Sequence, residues 1–338
     1  MLNLLWFLPL VFLGSLVGTA GLRRYALSNS LIDIPNARSS HVLPTPRGGG
    51  VAIVFSYLCG ALLLAFMGFV EWNITLAIAI PGALVAVIGF LDDHGHIPAR
   101  WRLLGHFTAA VIGMYLLGGL PAIQFFGMPI DFGWVGYLLG SLYLVWLLNL
   151  YNFMDGIDGL ASMEAIFVCL GGALLYALCG YTSFVWGPVA LALAVAGFLY
   201  WNFPPARIFM GDAGSGFLGI TLGFLSLQVA WVNPALLWGW LILLGVFIVD
   251  ATCTLIVRLF KGDKVYEAHR SHAYQFASRQ YRSHSTVSWS VTGINLVWLL
   301  PIAVLVALGE LDGAAGLLIA YVPLILLALR FKAGQRES

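Results

Sequence analysis

Charge is what this sequence has least of. Asp, Glu, Lys and Arg make up 9% of its 338 residues, against roughly 25% in an ordinary soluble domain. So few charges cannot coat a water-exposed surface of that size. Hydrophobic residues make up 61%, and the mean hydropathy is +0.93. A water-soluble globular fold is excluded, and the composition is that of a chain that crosses a membrane many times. The formal net charge is +1, which supplies no field to gather nucleic acid. Cysteine is scarce as well. Cys59, Cys169, Cys179 and Cys253 all lie in apolar segments and none has C-x-x-C spacing, so neither a zinc site nor a disulfide framework is indicated. Internal repeats and low-complexity linkers are also lacking, which points to a single membrane-embedded domain over residues 1–338.

What is present is a series of long apolar runs. Eleven segments approach the roughly 20 residues that a helical span needs: 2–22, 49–70, 73–91, 103–120, 133–149, 161–179, 183–201, 215–232, 235–257, 287–308 and 314–330. The fold class expected is all-α and polytopic, with the connection 120–132 partly re-entering. No Lys or Arg precedes the first apolar run, while Arg23 and Arg24 follow it. A secretory signal has the opposite polarity, so this run reads as a first span with its N-terminus outside. The inside connections are then 23–48, 92–102, 150–160, 202–214, 258–286 and 331–338. All sixteen Lys and Arg residues fall in them or at their edges, and so do all seven histidines. That asymmetry is the positive-inside pattern. It places the C-terminus inside and the chemistry on the cytoplasmic face.

The densest polar stretch is Asn149-Leu-Tyr-Asn152-Phe-Met-Asp155-Gly-Ile-Asp158-Gly-Leu-Ala161. Acidic residues at the mouth of a membrane helix are costly and are usually functional. Steps of three residues fall back about 60° on a helix, so Asn149, Asn152 and Asp155 share one broad face. Gly156 and Gly159 then allow a turn. Contact with lipid headgroups accounts for one or two such residues; four at this spacing suit a wall for a cation and a phosphorylated substrate.

Four further stretches lie on the same face. The first inside connection carries Arg38, His41, Arg47 and Gly48 to Gly50. Its basic residues suit phosphate or anionic headgroups, and its glycines could offer backbone N–H groups at a helix start. The third span ends at Asp92-Asp93-His94, followed by Arg100 and Arg102. Adjacent carboxylates can hold a metal or accept a proton. Gly211-Asp212-Ala-Gly214-Ser215-Gly216 opens the eighth span, which suits Mg²⁺ on the carboxylate and an anion on the amides. The stretch 261–286 holds His269-Arg270-Ser-His272. Two histidines at that spacing could ligate a transition metal, but no third soft ligand is near, and basic residues beside a diphosphate fit better. Within the apolar spans, Asp250 and Glu164 are the ionisable residues to explain, and Asp250 has a supporting role towards the inner mouth or a neighbouring helix.

These motifs, in this order, resemble the polyprenyl-phosphate N-acetylaminosugar-1-phosphate transferases. The resemblance runs over nearly the whole chain: Asp33-x-Pro-Asn-x-Arg38, Pro-x-Pro-Arg47-Gly-Gly, Asp92-Asp93, Asn149-x-x-Asn152-x-x-Asp155-Gly-x-Asp158-Gly-Leu-Ala, Phe209-Met-Gly-Asp212-x-Gly-Ser, and His269-Arg-x-His272. It implies transfer of a sugar phosphate from a UDP-N-acetylaminosugar to undecaprenyl phosphate, a membrane lipid, with release of UMP. It also implies Mg²⁺, with Mn²⁺ as a substitute, at the bacterial inner membrane, and it is compatible with a homodimer. By the same resemblance Asp212 and Asn152 would hold the metal. Asp92, Asp93 and Asp155 would be catalytic, with Asp92 or Asp93 accepting a proton from the lipid phosphate. Asp158 would accept from uracil, and Arg270, His272 and His269 would grip the sugar diphosphate. Asn149, Arg102 and Arg47 complete the substrate-binding candidates. Two aspartates rather than three, and a broken run of late histidines, argue against a muramoyl-pentapeptide substrate. They favour the branch that starts O-antigen, enterobacterial common antigen or teichoic-acid linkage units. Arg102 stands where the family usually has Lys. The rival reading is a transporter of a phosphorylated anion. Repeats and a midplane polar site would mark it, and this sequence shows neither.

Overall fold

The computed structural model describes residues 6–35, 43–95, 97–263 and 270–335. A chain this apolar must satisfy its backbone polar groups internally, and within hydrocarbon helices do so segment by segment. The apolar runs fold as α1 (Phe7–Ser28), α2 (Val51–Phe66), α3 (Trp72–Gly95), α4 (Ala99–Leu117), α5 (Val135–Met154), α6 (Leu160–Leu178) and α7 (Trp186–Asn202). They continue as α8 (Asp212–Ala230), α9 (Pro234–Leu243), α10 (Gly245–Phe260), α11 (Ala273–Tyr281), α12 (His284–Ile294), α13 (Leu300–Ala307) and α14 (Gly313–Arg330). One π turn, Asn295–Leu299, joins α12 to α13 as a continuous helix. The all-α, polytopic expectation holds.

Among the described residues, each of the eleven apolar segments is mainly helical. Seven helices among the described residues are long and apolar enough to cross a membrane, or eight if α9 and α10 form one broken span. α2 is shorter, at 16 residues, and α4 carries Arg100 and Arg102 in its first turn. A count of eleven crossings is therefore carried by the charge pattern rather than by helix length.

One expectation changes, and one connection takes a definite form. The segment 235–257 is not one straight span: α9 and α10 meet at a 70° bend at Leu244. Hydropathy is blind to direction and could not show it. The connection 120–132 forms a small antiparallel hairpin of β3 (Ile123–Phe125) and β4 (Met128–Ile130). Phe126 and Gly127 at its tip both have positive φ, 48° and 80°, as a two-residue type I′ turn requires. A second short pair, β1 (Ile32–Asp33) with β2 (Thr45–Pro46), ties the loop after α1 to the start of α2.

The bundle is built around α8, whose apolar window is wholly buried. It packs chiefly on α3 and α5. A Cβ at Gly89 of α3 would lie 2.5 Å from the backbone of Asp212. The absence of a side chain there is what lets the end of α3 seat directly on the start of α8.

Candidate active site

Four helix termini meet at one end of the bundle. They are the C-terminal ends of α3 and α5 and the N-terminal ends of α4 and α8, so connections that the charge pattern puts on one face do share a face. Arg102, one turn into α4, reaches both Asp92 of α3 and Asp212 of α8, the latter at 3.2 Å from Nη1. The main-chain N–H of Ile97 also donates to Asp92, at 2.6 Å. The other Asp212 oxygen accepts from Asn152 Nδ2 at 3.0 Å, and the same nitrogen lies 3.1 Å from Ser215 Oγ. Asn149 sits one turn earlier on α5 and donates to Val145 O at 2.7 Å. Asn149, Asn152, Phe153, Arg102, His106 and Asp212 line a cavity of about 180 Å³. The Asp212 side chain keeps 34% of its surface accessible while that of Asp92 keeps 7%, so Asp212 is the carboxylate a ligand can reach.

The loop before α2 does something other than expected. Gly49 and Gly50 donate their N–H groups to the carbonyls of Phe209 and Met210, both at 2.9 Å. These two amides stitch the loop to the segment before α8 and are not open to phosphate. Arg47 donates to the main-chain carbonyl of Asp93 at the end of α3, a favourable place for a cation. Asp93 is buried, against Gly211, and its Oδ2 has no hydrogen-bond partner among the described residues. It lies beside the first-turn amides of Asp212 and Ala213, where a carboxylate is favoured by the helix dipole. The aspartate pair thus splits: Asp92 faces Arg102, and Asp93 faces the root of α8. Arg38 and His41 fall outside the described residues.

The turn between α5 and α6 carries the other two aspartates. Asp155 caps α5. Burial first, then the negative charges of Asp212, Asp93 and Asp158, hold its carboxyl well above the ordinary carboxylate range. Asp158 Oδ2 accepts from Ala206 N at 3.0 Å, and the Asp158 main-chain N–H donates to His284 Nδ1 at 3.4 Å, a nitrogen that also lies 3.4 Å from Oδ1. Ser288 Oγ donates to its main-chain oxygen. It joins this turn to the loop after α7 and to α12, neighbours the sequence did not suggest.

The late loop also differs. His272 is 3% exposed and does not line the cavity. Its Nδ1 lies 3.3 Å from Asp250 Oδ1, and its ring packs against Phe153 and Tyr274. Arg270 is exposed, and its carbonyl accepts from Arg279. His269 lies outside the described residues.

The metal question turns on donor chemistry. Among the described residues, no group of three or more His, Cys, Asp or Glu could hold an ion alone. Mg²⁺ needs no such cage, because it takes one or two carboxylates and completes its shell with water and substrate phosphates. Asp212, with Asn152 beside it, is an oxygen donor set of that kind. Asn152 turns its nitrogen to Asp212, so its amide must turn over to offer oxygen to a cation, an exchange of two nearly isosteric ends.

Two site residues escaped the sequence reading. His106 follows Arg102 by four residues, hence on the same helix face, and its buried Nδ1 lacks a partner among the described residues. That spacing was the available signal. Ser215 lies one turn after Asp212, hidden among glycines that could equally mark a cap.

The fold is that of an all-α, multi-pass membrane protein, with a polar cavity where the helix ends meet. Residues 75–230 match the family described as Glycosyl transferase family 4. Over 270 residues the chain is 32% identical to the probable undecaprenyl-phosphate N-acetylglucosaminyl 1-phosphate transferase of Bacillus subtilis, covering 77% of this chain and 73% of that one. It is 29% identical over 286 residues to the undecaprenyl-phosphate alpha-N-acetylglucosaminyl 1-phosphate transferase of Yersinia pestis, covering 80% and 75%. It is 37% identical over 198 residues to a phospho-N-acetylmuramoyl-pentapeptide-transferase of Moorella thermoacetica, covering 54% and 61%. The chain belongs to glycosyl transferase family 4.

Proposed function

We propose that this protein transfers an N-acetylaminosugar-1-phosphate from a UDP-sugar to undecaprenyl phosphate. The products are UMP and a lipid-linked sugar diphosphate that starts a surface glycan such as O-antigen. The observation that carries this reading is Asp212, reachable from the cavity and held between Arg102 and Asn152. In the reaction a phosphate oxygen of the lipid attacks the β-phosphorus of the UDP-sugar in line. The bond from that phosphorus to the bridging oxygen breaks, and the electron pair leaves with UMP. Asp212 and Asn152 would hold Mg²⁺, whose chemistry there would be neutralisation of diphosphate charge. Arg102 steadies Asp92 and Asp212 and meets the diphosphate as it enters. Asn149 and His106 line the cavity as polar contacts for substrate. Asp92 anchors Arg102 beside the cavity, while Asp93 holds the root of α8. Asp155 ends α5 at this turn, where burial and the charges of Asp212, Asp93 and Asp158 raise its carboxyl above the ordinary range. Asp158 shapes the nucleotide end of the turn.

The active face is the cytoplasmic face of the inner membrane in this reading, with eleven spans, the N-terminus out and the C-terminus in. The test is UMP release by the purified protein with undecaprenyl phosphate and a panel of UDP-sugars, with and without a divalent chelator. Release should need the lipid, one UDP-N-acetylaminosugar and Mg²⁺. Movement of a phosphorylated anion with no bond cleavage sinks the transferase reading. Turnover of UDP-N-acetylmuramoyl-pentapeptide instead moves the protein to the peptidoglycan pathway.

A further inference from the structure

Asp250 lies in the apolar helix α10, away from the cavity, and is 5% exposed. Its carboxylate is nonetheless fully used. Oδ1 accepts from Ala273 N at 2.9 Å and Oδ2 from Tyr274 N at 2.8 Å, so it caps the start of α11. Thr254 Oγ1 donates to Oδ1 at 3.2 Å, and His272 Nδ1 is at 3.3 Å. Tyr274, placed by that cap, is 4% exposed and donates its hydroxyl to Phe153 O at 2.9 Å. Phe153 is in the last turn of α5, between Asn152 and Asp155. The ring also packs onto Gly156, where a Cβ would collide with the hydroxyl and lie 3.0 Å from Gln275 Nε2. Burial raises the phenol well above its usual pKa and keeps it a donor. The late loop and the aspartate-bearing turn are therefore joined by one strut.

We infer that Asp250 and Tyr274 are positioning residues: together they fix the α5–α6 turn, and with it Asn152, Asp155 and Asp158, relative to the substrate cavity. This inference rests on the transferase reading for its kinetic consequence, and on geometry alone for its structural one. Neither residue lines the cavity that holds Asp212. Its loss should lower kcat, because displacements of about 1 Å in a catalytic constellation can cost on the order of a hundredfold. The late loop then acts on turnover through the strut, and not solely through direct contact with the sugar diphosphate.

The experiment compares full-length wild type, Tyr274→Phe, Asp250→Asn and the double variant. Tyr274→Phe removes one hydroxyl and leaves the packing. Kinetics use a UDP-sugar and undecaprenyl phosphate, and hydrogen exchange is followed over residues 153–160. Tyr274→Phe should lower kcat about tenfold and Asp250→Asn about a hundredfold. KM for undecaprenyl phosphate should stay within about twofold, since neither residue lines the Asp212 cavity. The double variant should be no worse than Asp250→Asn, the non-additivity expected of one chain of contacts. Exchange at 153–160 should quicken in all three. Multiplicative rate losses, or unchanged exchange in that segment, overturn the strut. If wild type releases UMP from no UDP-sugar, the functional reading fails by itself. Exchange then still decides: faster exchange in Tyr274→Phe upholds the positioning, and unchanged exchange ends it.

Discussion

Asp212 is held from both sides, by the Arg102 cation and the Asn152 amide, and its charge is what a cation at this site would use. Asp212→Asn keeps the shape and removes the charge in a water-poor setting, where electrostatic terms are strong. Turnover should fall on the order of a hundred- to a thousandfold, with weaker binding of UDP-sugar in Mg²⁺ seen by titration calorimetry. Near-native turnover at limiting Mg²⁺ leaves Asp212 a helix-start residue and nothing more. Asp155 makes a different prediction. Its folded pKa is raised, so the fold binds its proton more tightly than the unfolded chain does. Such a carboxyl favours the fold below its unfolded pKa of about 4. It costs stability as pH rises from there towards the folded value. Asp155→Asn, with no proton to lose, should therefore melt higher than wild type at neutral pH without divalent cations. The gap should close near pH 4. A gap independent of pH removes burial and neighbouring charge as the cause. The four-residue pattern from Asn149 to Asp158 was legible as a site. That Asp158 pairs with Ala206 and His284 was not, since those partners are 48 and 126 residues away.

At the scale of elements, the close seating of α3 on α8 positions the site. Gly89→Ala places a methyl against the Asp212 backbone, and neither side is a flexible side-chain end that can yield. Overpacking of this kind costs about 1–3 kcal/mol. The variant should melt lower than wild type and lose activity out of proportion to its folded fraction, because Asp212 and Arg102 are driven apart. Full activity at the folded fraction contradicts that coupling. The bend between α9 and α10 belongs to this scale too. Composition shows an unbroken apolar run over 235–257, and the 70° change of direction arises at one residue whose dihedrals leave the helical region. α11 was legible as polar and late in the chain. Its docking through Asp250 was not, because a carboxylate within an apolar run carries no mark of which amides it will meet.

For the whole molecule, the topology is the open test. With Cys59, Cys169, Cys179 and Cys253 replaced, single cysteines at Asp131 and Ser283 should react oppositely with a membrane-impermeant thiol reagent in intact cells. Asp131 is expected to label and Ser283 to stay protected until the membrane is opened. Equal labelling ends the eleven-span arrangement. The structure supports one part of it: Asp92, Arg102, Asn152 and Asp212 come from three connections and touch, which requires those connections to lie on one side.

Composition and charge order by themselves determined the class of this protein, because transfer of apolar side chains out of water and the bias of Lys and Arg to one face are one-dimensional properties. Spacing determined which residues gather at the helix ends, since a helix turns Asn149, Asn152 and Asp155 to a common side. Tertiary structure alone decided how those residues divide the work. Asp92 took Arg102 and Asp93 took the root of α8 because consecutive residues on a helix point about 100° apart, each towards a different neighbour. It also turned His272 inward to Asp250 and spent the amides of Gly49 and Gly50 on Phe209 and Met210. Buried polar groups must find partners, and which partners lie within reach is a property of the packed bundle, not of the order of residues along the chain.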